Sequence, residues 1–185
     1  NAVEGKKGFF EQANGGTVLL DEIAEMSPQM QIKLLRFLND GTFRRVGEER
    51  EVKVNVRVIC ATHCHLDDWV KNGHFRADLF YRLGVLRMQV PALNERGEDI
   101  LFLAQRLLKL AFAGLVLPLP AFRVQQLLSC RHFFLNYAWP GNVRELRNLM
   151  ERVALYCSAY PEKAITEEML ISLSPERQWI VNDND

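Results

Sequence analysis

Apolar positions recur along this chain with two different periods, and the change from one to the other divides it. Thr17–Leu20 is a short, nearly continuous apolar run behind Gly15 and Gly16, the pattern of a strand buried on both faces of a parallel sheet. Ser27 and Pro28 then supply an N-cap and a first-turn proline. Met30, Leu34, Leu35 and Leu38 follow at helical spacing until Asn39, Asp40 and Gly41 predict the helix end. In EVKVNVRVICAT, Val52, Val54, Val56 and Val58 alternate with polar residues before Ile59, Cys60 and Ala61 run together. This predicts a strand that starts half exposed and ends inside a sheet. Residues 43–46 are its predicted hairpin partner. Two short helices, at about 66–72 and 77–83, and a strand at 85–90 stopped by Pro91 continue an alternation that indicates a three-layer α/β sheet.

Past Pro91 the strand pattern stops. Ile100, Leu103, Ala104, Leu107 and Ala111 form one helical stripe, and the loop GLVLPLP separates it from a helix predicted over 123–137. Asn142 with Glu145 makes an asparagine version of the capping box, ahead of Val143, Leu146, Leu149, Met150 and Val153 on one face. Thr166 can cap a last short helix. The expected organisation is therefore an α/β unit over 1–90, a helical subdomain over 91–173 and a polar tail over 174–185.

Composition narrows the possibilities. The chain has 185 residues, 48% of them hydrophobic, enough for a sizeable core. Lys plus Arg and Asp plus Glu number 23 each, so no net field draws it to nucleic acid or acidic lipid, and any charge-based function is local. Neither a membrane span nor a signal peptide is visible, and a cytoplasmic protein is expected. The four cysteines are too sparse for a disulfide framework and read as free thiols. Cys60 and Cys64, with His63 and His65 nearby, lack the paired spacing of structural zinc.

Asp21 and Glu22 close the first apolar run. Ligands gather at the carboxyl ends of parallel strands. An aspartate there can hold Mg2+, directly or through its waters, and an adjacent glutamate can orient a water against a phosphate. The alternative is that one carboxylate caps the following segment and the other is solvated.

The segments GFFEQANGGTVLLDEIAEMSPQMQIKLLRFLNDGTFRRVG, VNVRVICATH, FRADLFYRL and YAWPGNVRELRNLMERV occur in this order. Together they resemble the AAA+ domain of bacterial enhancer-binding proteins, the sigma-54-type transcriptional activators. The likeness covers residues 1 to about 173. It is nearest to tyrosine-responsive regulators over the first sixty or so residues and to propionate-catabolism regulators over 60–173. It implies a partial AAA+ P-loop-type three-layer sandwich followed by a small helical lid, working with ATP and Mg2+ in a ring of copies that engages RNA polymerase and its sigma factor. Asp21 and Glu22 fall on the Walker B pair, as Mg2+ partner and water-activating base. Thr62 and His63 fall on sensor I, whose alternative reading is a strand-end hydroxyl and a loop histidine. Arg76 and Arg82 fall on the arginine fingers that reach a neighbouring protomer's triphosphate, where a forked, delocalised cation suits the transition state. Surface ion pairing with Asp78 or Glu22 is the alternative. Arg144 falls on sensor II. A cation in the first turn of a helix opposes the dipole and calls for a partner, either nucleotide or Glu145 or Glu151. The turn of Trp139, Pro140 and Gly141 reads as packing rather than chemistry.

The sequence also departs from the family. It contains no G-x-x-x-x-G-K-[ST] phosphate cradle, and Gly5, Lys6, Lys7 is its only GK. Asn1 and Ala2 align with the end of the family's GAFTGA loop, with its glycine replaced. Asn94 stands where an arginine is usual, and no helix-turn-helix follows residue 173, so DNA contact would need a separate domain. The chain alone is expected to be inactive, to bind nucleotide weakly and to expose an apolar flank. Two functions fit: the hydrolysing centre of a sigma-54 activator, or a nucleotide-responsive oligomerisation module of a tyrosine-type regulator that does not remodel sigma-54 polymerase.

Overall fold

The computed structural model describes residues 7–45 and 50–174. The chain forms two compact units, Asn1–Met88 and Gln89–Asp185.

In the first unit α1 (Phe9–Gln12) leads to β1 (Thr17–Leu20), a 3-10 turn (Ile23–Glu25) and α2 (Pro28–Asp40). β2 (Thr42–Arg44), β3 (Glu51–Lys53) and β4 (Arg57–Cys60) follow, and then α3 (Leu66–Lys71) and α4 (Ala77–Leu83). β1 and β4 pair in parallel, Thr17 opposite Arg57 through Leu20 opposite Cys60. Parallel pairing requires a long crossover, which α2 and the β2–β3 hairpin provide. α2 forms where its local signals place it. Ser27 Oγ accepts the Met30 N–H at 3.4 Å, Pro28 fills the first turn, and Gly41 closes the helix at φ 68 with its N–H on the Phe37 carbonyl at 2.8 Å. That left-handed conformation is cheap only for glycine. The unit's core joins Ile23, Leu34, Phe37, Val54, Phe75, Leu79 and Phe80, with Leu20, Val58 and Cys60 packed against it from one sheet face. Leu19 and Ile59 point from the other face and stay exposed, by 63% and 42%.

Two strand expectations change. The predicted strand over 52–61 is two strands in two sheets: β3 pairs antiparallel with β2, and β4 pairs with β1. The break falls at Asn55, whose N–H donates to Asn14 Oδ1 and whose carbonyl accepts the Gly15 N–H, at 2.8 and 2.7 Å. Those bonds tie the chain to the turn before β1 in place of a ladder. In the predicted hairpin partner 43–46, Val46 lies outside the described residues. The predicted strand at 85–90 is not one; Val85, Leu86, Met88 and Val90 are 75–86% exposed without sheet pairing. Apolar alternation supplies propensity, but a strand also needs a hydrogen-bonded neighbour.

In the second unit α5 (Asp99–Gly114) packs against α8 (Asn142–Ala159), with α6 (Ala121–Ser129), α7 (Arg131–Asn136) and α9 (Glu167–Leu173) around them. The helix predicted over 123–137 divides at Cys130, where ψ swings to 25°. Buried Arg123 satisfies its charge on the carbonyls of Pro161 and Lys163, at 2.6 and 2.5 Å, and so pins the segment before α9. At the start of α8 the expected capping box is shifted by one residue. Gly141 is the N-cap and its N–H donates to Glu145 Oε2 at 2.8 Å. Asn142, at φ 50, turns its Oδ1 to the Leu93 N–H at 2.8 Å. A Cβ on Gly141 would lie 2.8 Å from the Glu145 Cβ, and Glu145 is also held by the Tyr137 hydroxyl. Gly141→Ala is therefore expected to destabilise this unit by about 1–3 kcal/mol in urea unfolding.

Candidate functional site

The carboxyl ends of β1 and β4 lie side by side, and the backbone pairing continues just past them. The Ala61 N–H donates to the Leu20 carbonyl at 2.9 Å, and the Ile23 N–H to the Ala61 carbonyl at 3.0 Å. Between those two bonds the chain must turn away from the sheet, and it does so at Glu22, which adopts φ 52, ψ 50. For a non-glycine residue that conformation costs about 1–2 kcal/mol. Buried Ile23 and Ala24 hold the turn from below, and strain of this kind concentrates where function requires a particular side-chain direction. Here it aims the Glu22 carboxylate at the end of β4, where His63 Nδ1 lies 2.7 Å from Oε2 and the His63 N–H 3.4 Å from the same oxygen. Asp21 is exposed, and its Oδ1 accepts the Glu22 N–H at 3.1 Å. Thr62 Oγ1 accepts the Cys64 N–H at 3.1 Å. The hydroxyl keeps a donor of its own, since only its acceptor is used in this contact. Asp21, Glu22, Thr62 and His63 thus share one sheet edge.

Arg76 and Arg82 have other partners. Arg76 forms a fork on Asp78, Nε to Oδ1 at 3.0 Å and Nη2 to Oδ2 at 2.7 Å. This hydrogen-bonded pairing holds the Asp78 carboxyl below its ordinary range and raises the guanidinium further. Both side chains are about half exposed, 45% and 48%. Arg82 Nη2 donates to the Leu38 carbonyl at 2.8 Å, a favourable position for a cation in the last turn of α2. Arg144 is exposed in the first turn of α8. Its suggested partner Glu145 is already engaged by Gly141 and Tyr137.

One residue in this region was not picked out in the sequence. Gln31 is 1% exposed, with Nε2 on the carbonyls of Met26 and His74 at 2.9 and 3.1 Å and Oε1 accepting the Arg76 N–H at 3.0 Å. It occupies the buried stripe of α2 with Leu34 and Phe37, whereas Met30 is 47% exposed. A polar residue three before Leu34 and seven before Leu38 was the available signal.

The acidic edge fits a hydrated Mg2+. Such an ion takes one or two carboxylates with substrate oxygens and water, and Asp21 offers an exposed carboxylate unpaired with any cation among the described residues. A cavity of about 1100 Å3 lies elsewhere in the first unit, among Phe10, Leu20, Leu34, Phe37 and Phe43. It is apolar and includes none of the predicted site residues.

Residues 1–89 match the sigma-54 interaction domain and residues 94–178 the AAA+ ATPase lid domain. The chain belongs to the sigma-54 interaction family of AAA+ proteins. Among relatives in this family, the HTH-type transcriptional regulatory protein TyrR of Enterobacter agglomerans is 52% identical over 177 residues, covering 94% of this chain and 33% of TyrR. The likeness to tyrosine-responsive regulators therefore runs well beyond the first sixty residues. The response regulator protein PilR of Pseudomonas aeruginosa is 47% identical over 156 residues, 84% of this chain and 34% of PilR. The chain spans about a third of the length of these relatives. NtrX from Brucella abortus in complex with ADP superposes with a TM-score of 0.78 at 37% identity, covering 96% of this chain and 39% of NtrX. Its complex with ATP gives 0.75 at 36% identity, covering 92% and 38%. The AAA+ fold with its lid is thus established for the sigma-54 interaction family member described here. Among its described residues, no helix is long and apolar enough to cross a membrane.

Proposed function

We propose that this chain contributes the hydrolytic edge of an ATP-driven transcription regulator that works as a ring of copies in the bacterial cytoplasm. The observation that carries the reading is the convergence of Asp21, Glu22 and Thr62 at the adjacent carboxyl ends of two parallel strands. There Glu22 would orient the attacking water and accept its proton, held in direction by its strained backbone and by His63. The Thr62 O–H would donate to a γ-phosphate oxygen. Asp21 would hold Mg2+, which when bound neutralises charge across the β- and γ-phosphate oxygens. Arg76 and Arg82, both exposed, would act on a neighbouring protomer's triphosphate, Arg82 after leaving the Leu38 carbonyl, and Arg144 would serve as the sensor II cation. Sigma-54 RNA polymerase is the target, and DNA would be engaged through a separate domain.

Glu22→Gln in the full-length protein tests this. ATP binding should persist while turnover falls about 10²-fold or more, the usual worth of a general base. Unchanged turnover would remove Glu22 from its role. The similarity to TyrR supports a second reading, in which nucleotide governs self-association only. In that case Glu22→Gln would leave control of transcription intact.

A further inference from the structure

We propose that Gln31 is a positioning residue that sets the arginine offered to a neighbouring protomer against the acidic edge of its own, an inference that rests on the reading of Arg76 as acting in trans. The side-chain amide has two donors and one acceptor group, and its surroundings use all of them. Two carbonyls, from Met26 and His74, face Nε2, and one N–H, from Arg76, faces Oε1. The arrangement permits only one orientation of the amide. Met26 ends the turn that begins at Glu22, and His74 and Arg76 flank Phe75, itself buried to 2% exposure. A single buried amide therefore connects the loop after the acidic doublet to the backbone of Arg76.

The surface ion pair with Asp78 cannot perform that task. It is half exposed and on the same short segment, so it orients the guanidinium but does not locate the main chain. Buried, fully satisfied polar contacts locate backbone because each alternative arrangement leaves a donor or acceptor unpaired. Gln31→Met keeps the side chain's length but leaves two carbonyls and the Arg76 N–H without partners. Gln31→Glu keeps the shape and the acceptor but turns carboxylate oxygen toward the carbonyls. A displacement near 1 Å at a reacting group costs about 10²-fold in rate. Each variant should accordingly lower kcat by about 10- to 100-fold with the KM for ATP nearly unchanged, since the residue touches no part of its own protomer's nucleotide site.

The test that separates this from a merely structural role uses mixed oligomers of the full-length protein. Glu22→Gln protomers do not hydrolyse but still present an arginine, so wild-type protomers beside them should keep their turnover. Adding Gln31→Met to the Glu22→Gln protomer should depress turnover of those wild-type neighbours, and adding Arg76→Ala instead should depress it at least as far. If the Arg76→Ala protomers inhibit their neighbours and the Gln31→Met and Gln31→Glu protomers do not, Gln31 has no positioning role, while the arginine reading stands. If the Arg76→Ala protomers also leave their neighbours unaffected, the arginine reading fails and this inference with it. Incorporation is checked by affinity capture of the mixed rings with ATP turnover measured on the captured material. Failure of both Gln31 variants to enter rings would assign the residue to folding alone and overturn the proposal.

Discussion

Arg76→Ala is expected to lower ATP turnover of the full-length protein by about 10³-fold or more, the range found when a transition-state arginine is removed. Arg76 begins the segment entering α4, and its backbone is fixed through Gln31 while its side chain reaches solvent. The fork on Asp78 stores the guanidinium in a planar, two-donor geometry, the same geometry that a phosphoryl group accepts. Half-exposed ion pairs are weak, so a neighbour's triphosphate can draw the arginine away at little cost. Lysine at this position would keep the charge but lose the fork, and Arg76→Lys should recover only a small part of the rate. The urea midpoint of either variant should match wild type. The decisive measurement is steady-state ATP turnover under conditions where oligomers form. Turnover within a few-fold of wild type in Arg76→Ala would leave the residue a surface ion pair and nothing more.

The second large effect concerns stability. Trp139→Ala should cost the lid unit about 3–5 kcal/mol, as for other large-to-small changes in a closed core. Trp139 is 2% exposed, lies parallel to Phe134 at 6.1 Å and meets Tyr137 edge-on at 4.8 Å. Its indole N–H donates to the Phe134 carbonyl at 2.9 Å, which alanine would leave unpaired. The backbone at Trp139 has φ 49, an unfavourable value that packing of the ring sustains and that alanine would inherit without compensation. Trp139→Phe, which fills most of the space but lacks the N–H, should lose roughly half as much. Urea unfolding followed by far-ultraviolet circular dichroism gives the values. A loss below about 1 kcal/mol for alanine would show that the turn before α8 holds without the indole.

Much of this molecule was legible residue by residue. The strand before the acidic doublet, the capped and glycine-terminated helix α2 and the two helices of the arginine segment all appear where local patterns put them. Each of these signals acts over a few residues: a side chain on a nearby N–H, a glycine free to adopt positive φ, or an apolar face of fixed period. Placement of Asp21 and Glu22 at a strand end followed from the same local logic, as did the free thiols. Cys60, Cys130 and Cys157 have their ionisation pushed up by burial and remain unpaired.

What sequence by itself determined was thus the type of each strong local element and the chemical character of its ends. The tertiary structure alone decided which elements became neighbours. It divided one alternating run between two sheets at Asn55, left the apolar residues of 85–90 without a ladder and exchanged Met30 for Gln31 on the buried side of α2. It also brought Glu22 to His63 across forty-one positions of chain. The physical reason is common to all four. A hydrogen bond or a buried face requires a second partner: for Asn55, Gln31 and Glu22 that partner lies far away in sequence, where no local period records it, and residues 85–90 have no strand partner among the described residues.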